Sequence, residues 1–118
     1  MEKKFGEFLE QKRKEKGIGL RQMAGALDIA PSYLSDIEKG RRYAPDKQRL
    51  DEIADFIGLI ESDRTLMYDL AAKTKNAVPA DVSGYLQEKD LAVTLLRKVR
   101  DLSDDKLKEL IDNIDNNK

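Results

Sequence analysis

The stretch Leu20–Arg42, LRQMAGALDIAPSYLSDIEKGRR, decides the fold of this 118-residue chain. Met23 and Leu27 lie one helical turn apart and share an apolar face. The segment Asp28–Ala30 breaks that period. Pro31 then suits the first position of a new helix, because its missing N–H has no partner to lose there. The stretch therefore predicts two short helices joined by a tight turn.

The second of these helices has an apolar face, a polar face and a basic exit. Leu34 and Ile37 carry the apolar face, and Gly40 suits the end of the helix. The cations at and after its end are Lys39, Arg41 and Arg42. A short helix with a polar outer face and cations at its exit is suited to lie in a DNA major groove.

Apolar spacing and capping residues predict further helices on both sides of this stretch. Three helices are predicted at about residues 3–16, 20–27 and 31–39. A fourth helix begins after the cap Asp46 and ends at Gly58. A fifth begins at the cap Ser62, with Leu66, Met67 and Leu70 facing inward. Residues 76–79 form a predicted linker, and 79–86 a short helix. Leu91, Leu95, Val99 and Leu102 predict one amphipathic helix, and Ser103 starts the last, which carries Leu107, Leu110, Ile111 and Ile114. No segment predicts a strand.

Composition excludes several functions. The chain has no cysteine and no histidine, so it lacks disulfides, thiolate metal sites and the commonest general base. We therefore expect no catalytic residue, no metal and no cofactor. The longest run without a charged residue, Ile29–Ser35, is too short for a transmembrane span or a signal peptide, which predicts a cytoplasmic protein with no membrane partner.

The charges are unevenly distributed along the chain. Residues 1–45 hold ten Lys or Arg and seven Asp or Glu, whereas residues 46–118 hold twelve and sixteen. A basic head with an acidic tail allows the head to meet phosphate groups.

From Met23 to Gly40 the chain resembles the Cro/cI-type helix-turn-helix family, the lambda-repressor-like or XRE regulators. The motif consists of Met-Ala at 23–24, Leu27, Ile29 and the pattern SYLS-x-IE-x-G at 32–40, and the resemblance extends from Phe5 to about Gly58. It implies an all-α fold: a five-helix lambda-repressor-like DNA-binding head with a C-terminal helical extension. We place the head at residues 1–75 and the extension at 76–118.

The resemblance also implies which residues contact double-stranded DNA. The base-contacting positions of the second helix are Pro31, Ser32, Tyr33, Ser35 and Asp36. Serine hydroxyls can bond several bases, and an aspartate can accept from a cytosine amino group. The phosphate-contacting positions are Arg21, Lys39, Arg41, Arg42 and Tyr43. The alternative for all of them is an ordinary solvated surface.

Two further features follow from the resemblance. Arg13 and Glu38 match a buried ion pair that clamps the second helix of the motif to the first helix of the domain. Gly19 and Ala30 stand where the family often has a capping hydroxyl, and Ala30 weakens its cap by about 1 kcal/mol. Leu20 stands where many members have a phosphate-contacting glutamine, and we interpret it as a packing residue.

The apolar stripes of residues 88–115 leave three alternatives open: pairing of two copies, binding of another protein, or packing within the chain. Helix-turn-helix repressors usually bind as dimers to half-sites about one helical turn apart, which favours a homodimer on a palindromic operator. The function we predict is a sequence-specific DNA-binding transcriptional regulator that acts as a dimeric repressor. The alternative is an antitoxin or immunity-type regulator of a two-gene cassette, whose C-terminal helices bind a partner protein and whose DNA binding is autoregulatory.

Overall fold

The computed structural model describes residues 4–117, and every regular element within that range is an α-helix. The helices are α1 (Phe5–Glu15), α2 (Leu20–Ala26), α3 (Pro31–Glu38), α4 (Lys47–Ile57), α5 (Glu61–Lys73), α6 (Ala80–Glu88), α7 (Asp90–Val99) and α8 (Asp104–Asn116). The predicted all-α fold is confirmed. The first helix was predicted to start at Lys3 and the C-terminal extension to include Lys118, and both residues lie outside the described range.

Residues 4–83 form one compact unit with a continuous apolar core. Helix α1 packs on α3 and α5, and α2 packs on α3. The largest fully buried side chains are Phe8, Leu9, Met23, Leu34, Ile37, Leu50, Ile53 and Met67. Met23, Leu34, Ile37 and Met67 among them lie on predicted apolar faces, because burial of one face of each amphipathic helix drives the packing. Leu20 is partly buried against this core, so its interpretation as a packing residue is confirmed.

The turn between α2 and α3 has a left-handed residue at its centre. Asp28 has φ 56°, and the Ile29 N–H donates to the carbonyl of Ala24 at 3.0 Å across the turn. Aspartate tolerates this conformation better than most side chains. The guanidinium of Arg49 also donates to the Leu27 carbonyl, which ties the turn to α4.

The caps of α4 follow the sequence prediction, whereas the start of α5 does not. The Asp46 carboxylate accepts from the Arg49 N–H at 3.0 Å, and Gly58 ends the helix with φ 78°. The prediction that Ser62 caps α5 was wrong. Ile60 is the residue before the helix, and Ser62 lies in the first turn. The chain turns into α5 directly after the buried Leu59, before Ser62 is reached.

The inward face of α5 also differs from the prediction by one position. Met67 and Leu70 are buried as expected, but Leu66 is 43% exposed. Tyr68 and Ala71 are buried in its place. Helix α5 is apolar on more than one side, so the spacing of its apolar residues does not show whether Leu66 or Tyr68 faces inward. The packing of α5 on α1 decides between them.

The first unit extends past Lys75, the predicted end of the head, to Ser83. Ala80, at the start of α6, is partly buried against the core. No helix among the described residues has the length and apolar character needed to cross a bilayer.

Residues 84–117 form the second unit, which contains α7 and α8. The Ser103 hydroxyl accepts from the Lys106 N–H at 3.3 Å, as predicted for the cap of the last helix. The prediction that Leu102 continues the helix of Leu91 was wrong, because α7 ends at Val99. Leu102 lies in the turn that leads to the Ser103 cap, since a capping residue requires extended backbone before the new helix.

Candidate nucleic-acid interface

Helix α3 is anchored from its inner face. Leu34 and Ile37 are buried against the core of the first unit, and Pro31 occupies the first helical position. Ala30, before the helix, makes no side-chain cap hydrogen bond. The helix is therefore held by packing rather than by its cap, and its outer face is left to solvent.

A buried ion pair fixes the end of α3. The Arg13 guanidinium donates to both carboxylate oxygens of Glu38, with its Nε at 2.8 Å and its Nη2 at 2.9 Å. Its third nitrogen donates to the Ile18 carbonyl at 2.8 Å. The hydrogen bond to Glu38 raises the pKa of Arg13, against the opposing effect of burial. The pair predicted between Arg13 and Glu38 is present, and it joins α1 to the end of α3.

Gly6 allows α1 to approach the end of α3 closely. A Cβ atom at Gly6 would lie 2.3 Å from the Glu38 carbonyl oxygen and 2.5 Å from that of Ile37. Those atoms are backbone and have little freedom to move. The absence of a side chain at Gly6 is therefore what lets Arg13 reach Glu38 from the same helix.

The predicted base-contacting residues lie on the outer part of α3. Ser32 is exposed, and the others are half-buried: Pro31, Tyr33, Ser35 and Asp36. Tyr33 contributes part of its surface to the core. The surface combines hydroxyls, a carboxylate and an aromatic edge, which are groups that can contact base edges in a major groove.

Asp36 lies beside two of the predicted phosphate contacts. Its carboxylate oxygens are 3.5 Å from the Arg41 guanidinium and 3.8 Å from that of Arg42. Arg42 also lies over the Tyr33 ring, 5.4 Å from its centroid. This cluster was not predicted from the sequence. Gly40 is the residue in the sequence that could have indicated it, because its φ of 77° turns the chain back toward the outer face of α3.

The other predicted phosphate contacts are accessible to solvent. Lys39 is exposed at the end of α3, and Arg21 is exposed in the first turn of α2. The Tyr43 side chain is 67% exposed, and the Lys75 ammonium lies 5.9 Å from its ring centroid. At the start of α2, the Gln22 side chain accepts from the Gly19 N–H at 3.3 Å, whereas Gly19 has no side chain that could cap the first turn in return.

Thr74 holds the loop at residues 40–46 (the basic loop) in place, and no pattern in the sequence predicts this role. The Ala44 N–H donates to the Thr74 hydroxyl at 3.1 Å, and that hydroxyl donates to the Ala71 carbonyl at 2.7 Å. Ala44 itself is buried. The loop that carries Arg41 and Arg42 is therefore attached to the end of α5.

The predicted dimer or partner interface lies in the second unit and is largely accessible. Leu91 is 84% exposed, and Ile111 and Ile114 are each more than half exposed. Leu95, Leu102 and Leu110 are also exposed, while Val99 and Leu107 are half-buried. Within residues 4–117, no three acidic side chains are grouped as a metal ion would require.

Comparisons with known proteins find matches to part of this chain. Residues 4–67 match the family model described as a helix-turn-helix domain. The chain is 47% identical over 57 residues to the ImmF control region 10 kDa protein of Bacillus phage phi105, which covers 48% of this chain and 62% of that protein. It is 38% identical over 60 residues to the HTH-type transcriptional regulator DdrOP3 of Deinococcus deserti, which covers 51% of this chain and 46% of the relative.

These matches are partial in both directions, since the aligned part spans 62% of the phage protein and 46% of the Deinococcus regulator. A chain of a solved SinR protein/SinI protein complex aligns over 94% of both chains, with a TM-score of 0.49 and 22% identity. The family model covers more than half of this sequence and includes α1 to α4. The chain therefore belongs to the helix-turn-helix domain family and is of the Cro/cI (XRE) type.

Proposed function

We propose that this chain is a sequence-specific DNA-binding transcriptional regulator that places α3 in the major groove. One observation carries the proposal: α3 is anchored by buried residues on one face, presents hydroxyls on the other and is followed by exposed arginines. This arrangement offers base-contacting groups and phosphate-contacting groups on one rigid support. In this proposal the chain acts in the cytoplasm and has no catalytic role.

The contacts divide into two classes. Pro31, Ser32, Tyr33, Ser35 and Asp36 face base edges and supply sequence preference. The phosphate contacts are Arg21, Lys39, Arg41, Arg42 and Tyr43. Phosphate contacts dominate affinity and its dependence on salt, whereas base contacts decide which sequence is preferred.

The phosphate contacts are tested by changing Arg41 and Arg42 to alanine together. The logarithm of the DNA association constant should fall less steeply with the logarithm of salt concentration, by up to about two units of slope. The control changes two exposed arginines of the second unit, Arg97 and Arg100, to alanine. An unchanged slope in the Arg41/Arg42 variant would rule out their phosphate role.

The base contacts are tested separately with Ser32→Ala and Asp36→Asn, by sequencing the duplexes each variant selects from a randomised library. Ser32→Ala should change the preferred bases and leave binding to random DNA nearly intact. Asp36→Asn removes the carboxylate that lies beside Arg41, so we expect binding to random DNA to tighten about two- to fivefold as well. Equal losses on selected and random DNA would contradict groove contact by this face.

We also propose that two copies of the chain pair through α7 and α8 and act as a dimeric repressor on a palindromic operator. The exposed apolar side chains of these helices support this, because pairing would remove them from water. The residues concerned are Leu91, Leu95, Val99, Leu102, Leu107, Leu110, Ile111 and Ile114. The selected operator should contain half-sites about 10 base pairs apart.

The dimer is tested by sedimentation of the double variant Leu95→Asn, Ile111→Asn. It should be monomeric at concentrations where the unmodified chain is dimeric. A matched control, Arg97→Asn with Glu109→Asn, changes the polar faces of the same helices and should remain dimeric. A double variant that stays dimeric would place the pairing surface elsewhere.

A second candidate function uses the same apolar faces differently. The chain would be an antitoxin or immunity-type regulator whose C-terminal helices hold a partner protein, with autoregulatory DNA binding. The exposed faces of α7 and α8 favour it, and so does the similarity to a phage control-region protein. A monomeric chain whose apolar faces bind the product of a neighbouring gene would support this candidate over the homodimer.

A further inference from the structure

The first unit contains a cleft of about 1110 Å³ beside the basic loop. Its walls come from the start of α1, one side of α3, the loop at residues 40–46 and the end of α5. Phe5, Ile37 and Leu70 line its apolar part, and all three are buried core residues. Concave sites of this size that combine an apolar lining with a few charged groups are typical of small-molecule binding.

Basic side chains outnumber acidic ones along the cleft, although the Asp36 carboxylate lies beside two of them, Arg41 and Arg42. The basic lining residues come from three separate segments and are Lys4, Arg41, Arg42, Lys73 and Lys75. Asp46 is the acidic residue among the described lining residues, and its carboxylate is engaged as the α4 cap by the Arg49 N–H. Cations that converge on one cavity favour a ligand with several negative charges, and guanidinium groups suit phosphate oxygens.

The rim of the cleft also carries two aromatic rings with cations above them. Arg42 lies 5.4 Å from the Tyr33 ring centroid, and Lys75 lies 5.9 Å from that of Tyr43. The Tyr43 ring is largely exposed, so a planar ligand group has a surface on which to stack. A ligand with both phosphate groups and an aromatic ring would use the cations, the rings and the apolar lining at once.

We propose that this cleft binds a phosphorylated small molecule that carries an aromatic ring, of the nucleotide class. The concave shape and the apolar lining favour a molecule that enters the cleft over a duplex, which would lie across its rim. Because the ligand and DNA would both use Arg41 and Arg42, ligand binding should weaken DNA binding. This regulatory consequence rests on the proposed function, whereas ligand binding itself does not.

The test uses the full chain with ADP as the probe and inorganic pyrophosphate as a charged probe without a ring. Calorimetry measures both affinities, and amide chemical shifts locate the binding. We expect ADP to bind more tightly than pyrophosphate, with shifts concentrated at Lys4, the loop at residues 40–46 and the end of α5. Lys75→Gln should weaken ADP binding about threefold, the usual worth of an exposed ion pair. The control Lys98→Gln, on α7, should not weaken it.

Two results would overturn the cleft site. Equal binding of ADP and pyrophosphate, with shifts spread over all basic surfaces, would mean general attraction of anions. If ADP does not bind, the cleft site is refuted. If Lys75→Gln also reduces the dependence of DNA affinity on salt concentration, these cations contact the DNA backbone instead. In that second case the proposed function would stand. If ADP binds in the cleft but the chain selects no DNA sequence, the proposed function fails and the cleft site remains.

Discussion

Removal of Glu38 is the perturbation whose effect the structure predicts most directly. Its carboxylate is buried and takes two short hydrogen bonds from the Arg13 guanidinium, which is itself 7% exposed. Loss of one partner leaves a charge in the core without compensation, which typically costs about 3–5 kcal/mol. A small domain is stable by only about 5–15 kcal/mol, so Glu38→Ala should lose a large part of the free energy of unfolding.

The companion change replaces both charges by apolar side chains of similar length, Arg13→Met with Glu38→Leu. Such replacements are often close to neutral, because the desolvation cost of both charges disappears with their attraction. Here the Ile18 carbonyl also loses its donor, and we expect a cost of about 1 kcal/mol for that. The double variant should therefore be more stable than Glu38→Ala alone.

Urea unfolding followed by circular dichroism measures all of these free energies. The control is the exposed pair between Lys14 and Glu10, joined at 2.9 Å on the outside of α1. Glu10→Ala should change the stability by no more than about 0.5 kcal/mol, because surface pairs contribute little. The buried pair does not act as described if Glu38→Ala is no more destabilising than Glu10→Ala. The same holds if the double variant loses as much free energy of unfolding as Arg13→Met and Glu38→Leu, measured singly, lose in sum.

Two other predictions concern the packing and the acid stability of the first unit. Gly6→Ala should destabilise the first unit by about 1–3 kcal/mol, because the added methyl group meets backbone oxygens. Gly25→Ala has open space around it and should stabilise the same unit by about 0.5–1 kcal/mol, because alanine favours a helix more than glycine does. Equal urea midpoints for the two variants would contradict this. Burial by itself would raise the pKa of Asp51, but hydrogen bonds from Lys47 and Tyr68 outweigh burial, and the pKa is lowered. The carboxylate therefore stabilises the fold at pH values above the ordinary aspartate pKa. This stabilisation is lost as the pH falls through the lowered pKa. The stability difference between the unmodified chain and Asp51→Asn should shrink on acidification, and a difference that does not change with pH would refute the assignment.

Local physical chemistry made much of the fold predictable from the sequence. The breaks at Asp28 and Gly58, the caps Asp46 and Ser103, and the apolar faces of α2 and α3 depend on residues within one or two helical turns, so they can be predicted without knowing the neighbours in space. Two predictions, the Ser62 cap and the inward position of Leu66, failed because a tertiary contact decides the start and the buried face of α5. Ser62 has the character of a cap, yet the burial of Leu59 starts α5 before it.

The candidate site divides in the same way. The sequence by itself determined which residues follow α3 and, through a family resemblance, which of them contact DNA, and those roles stay predictions. Only the tertiary structure attached the basic loop to Thr74 and brought Lys75 to the cleft beside that loop. These contacts join segments far apart in the chain, and each depends on how the helices pack, which no local preference encodes.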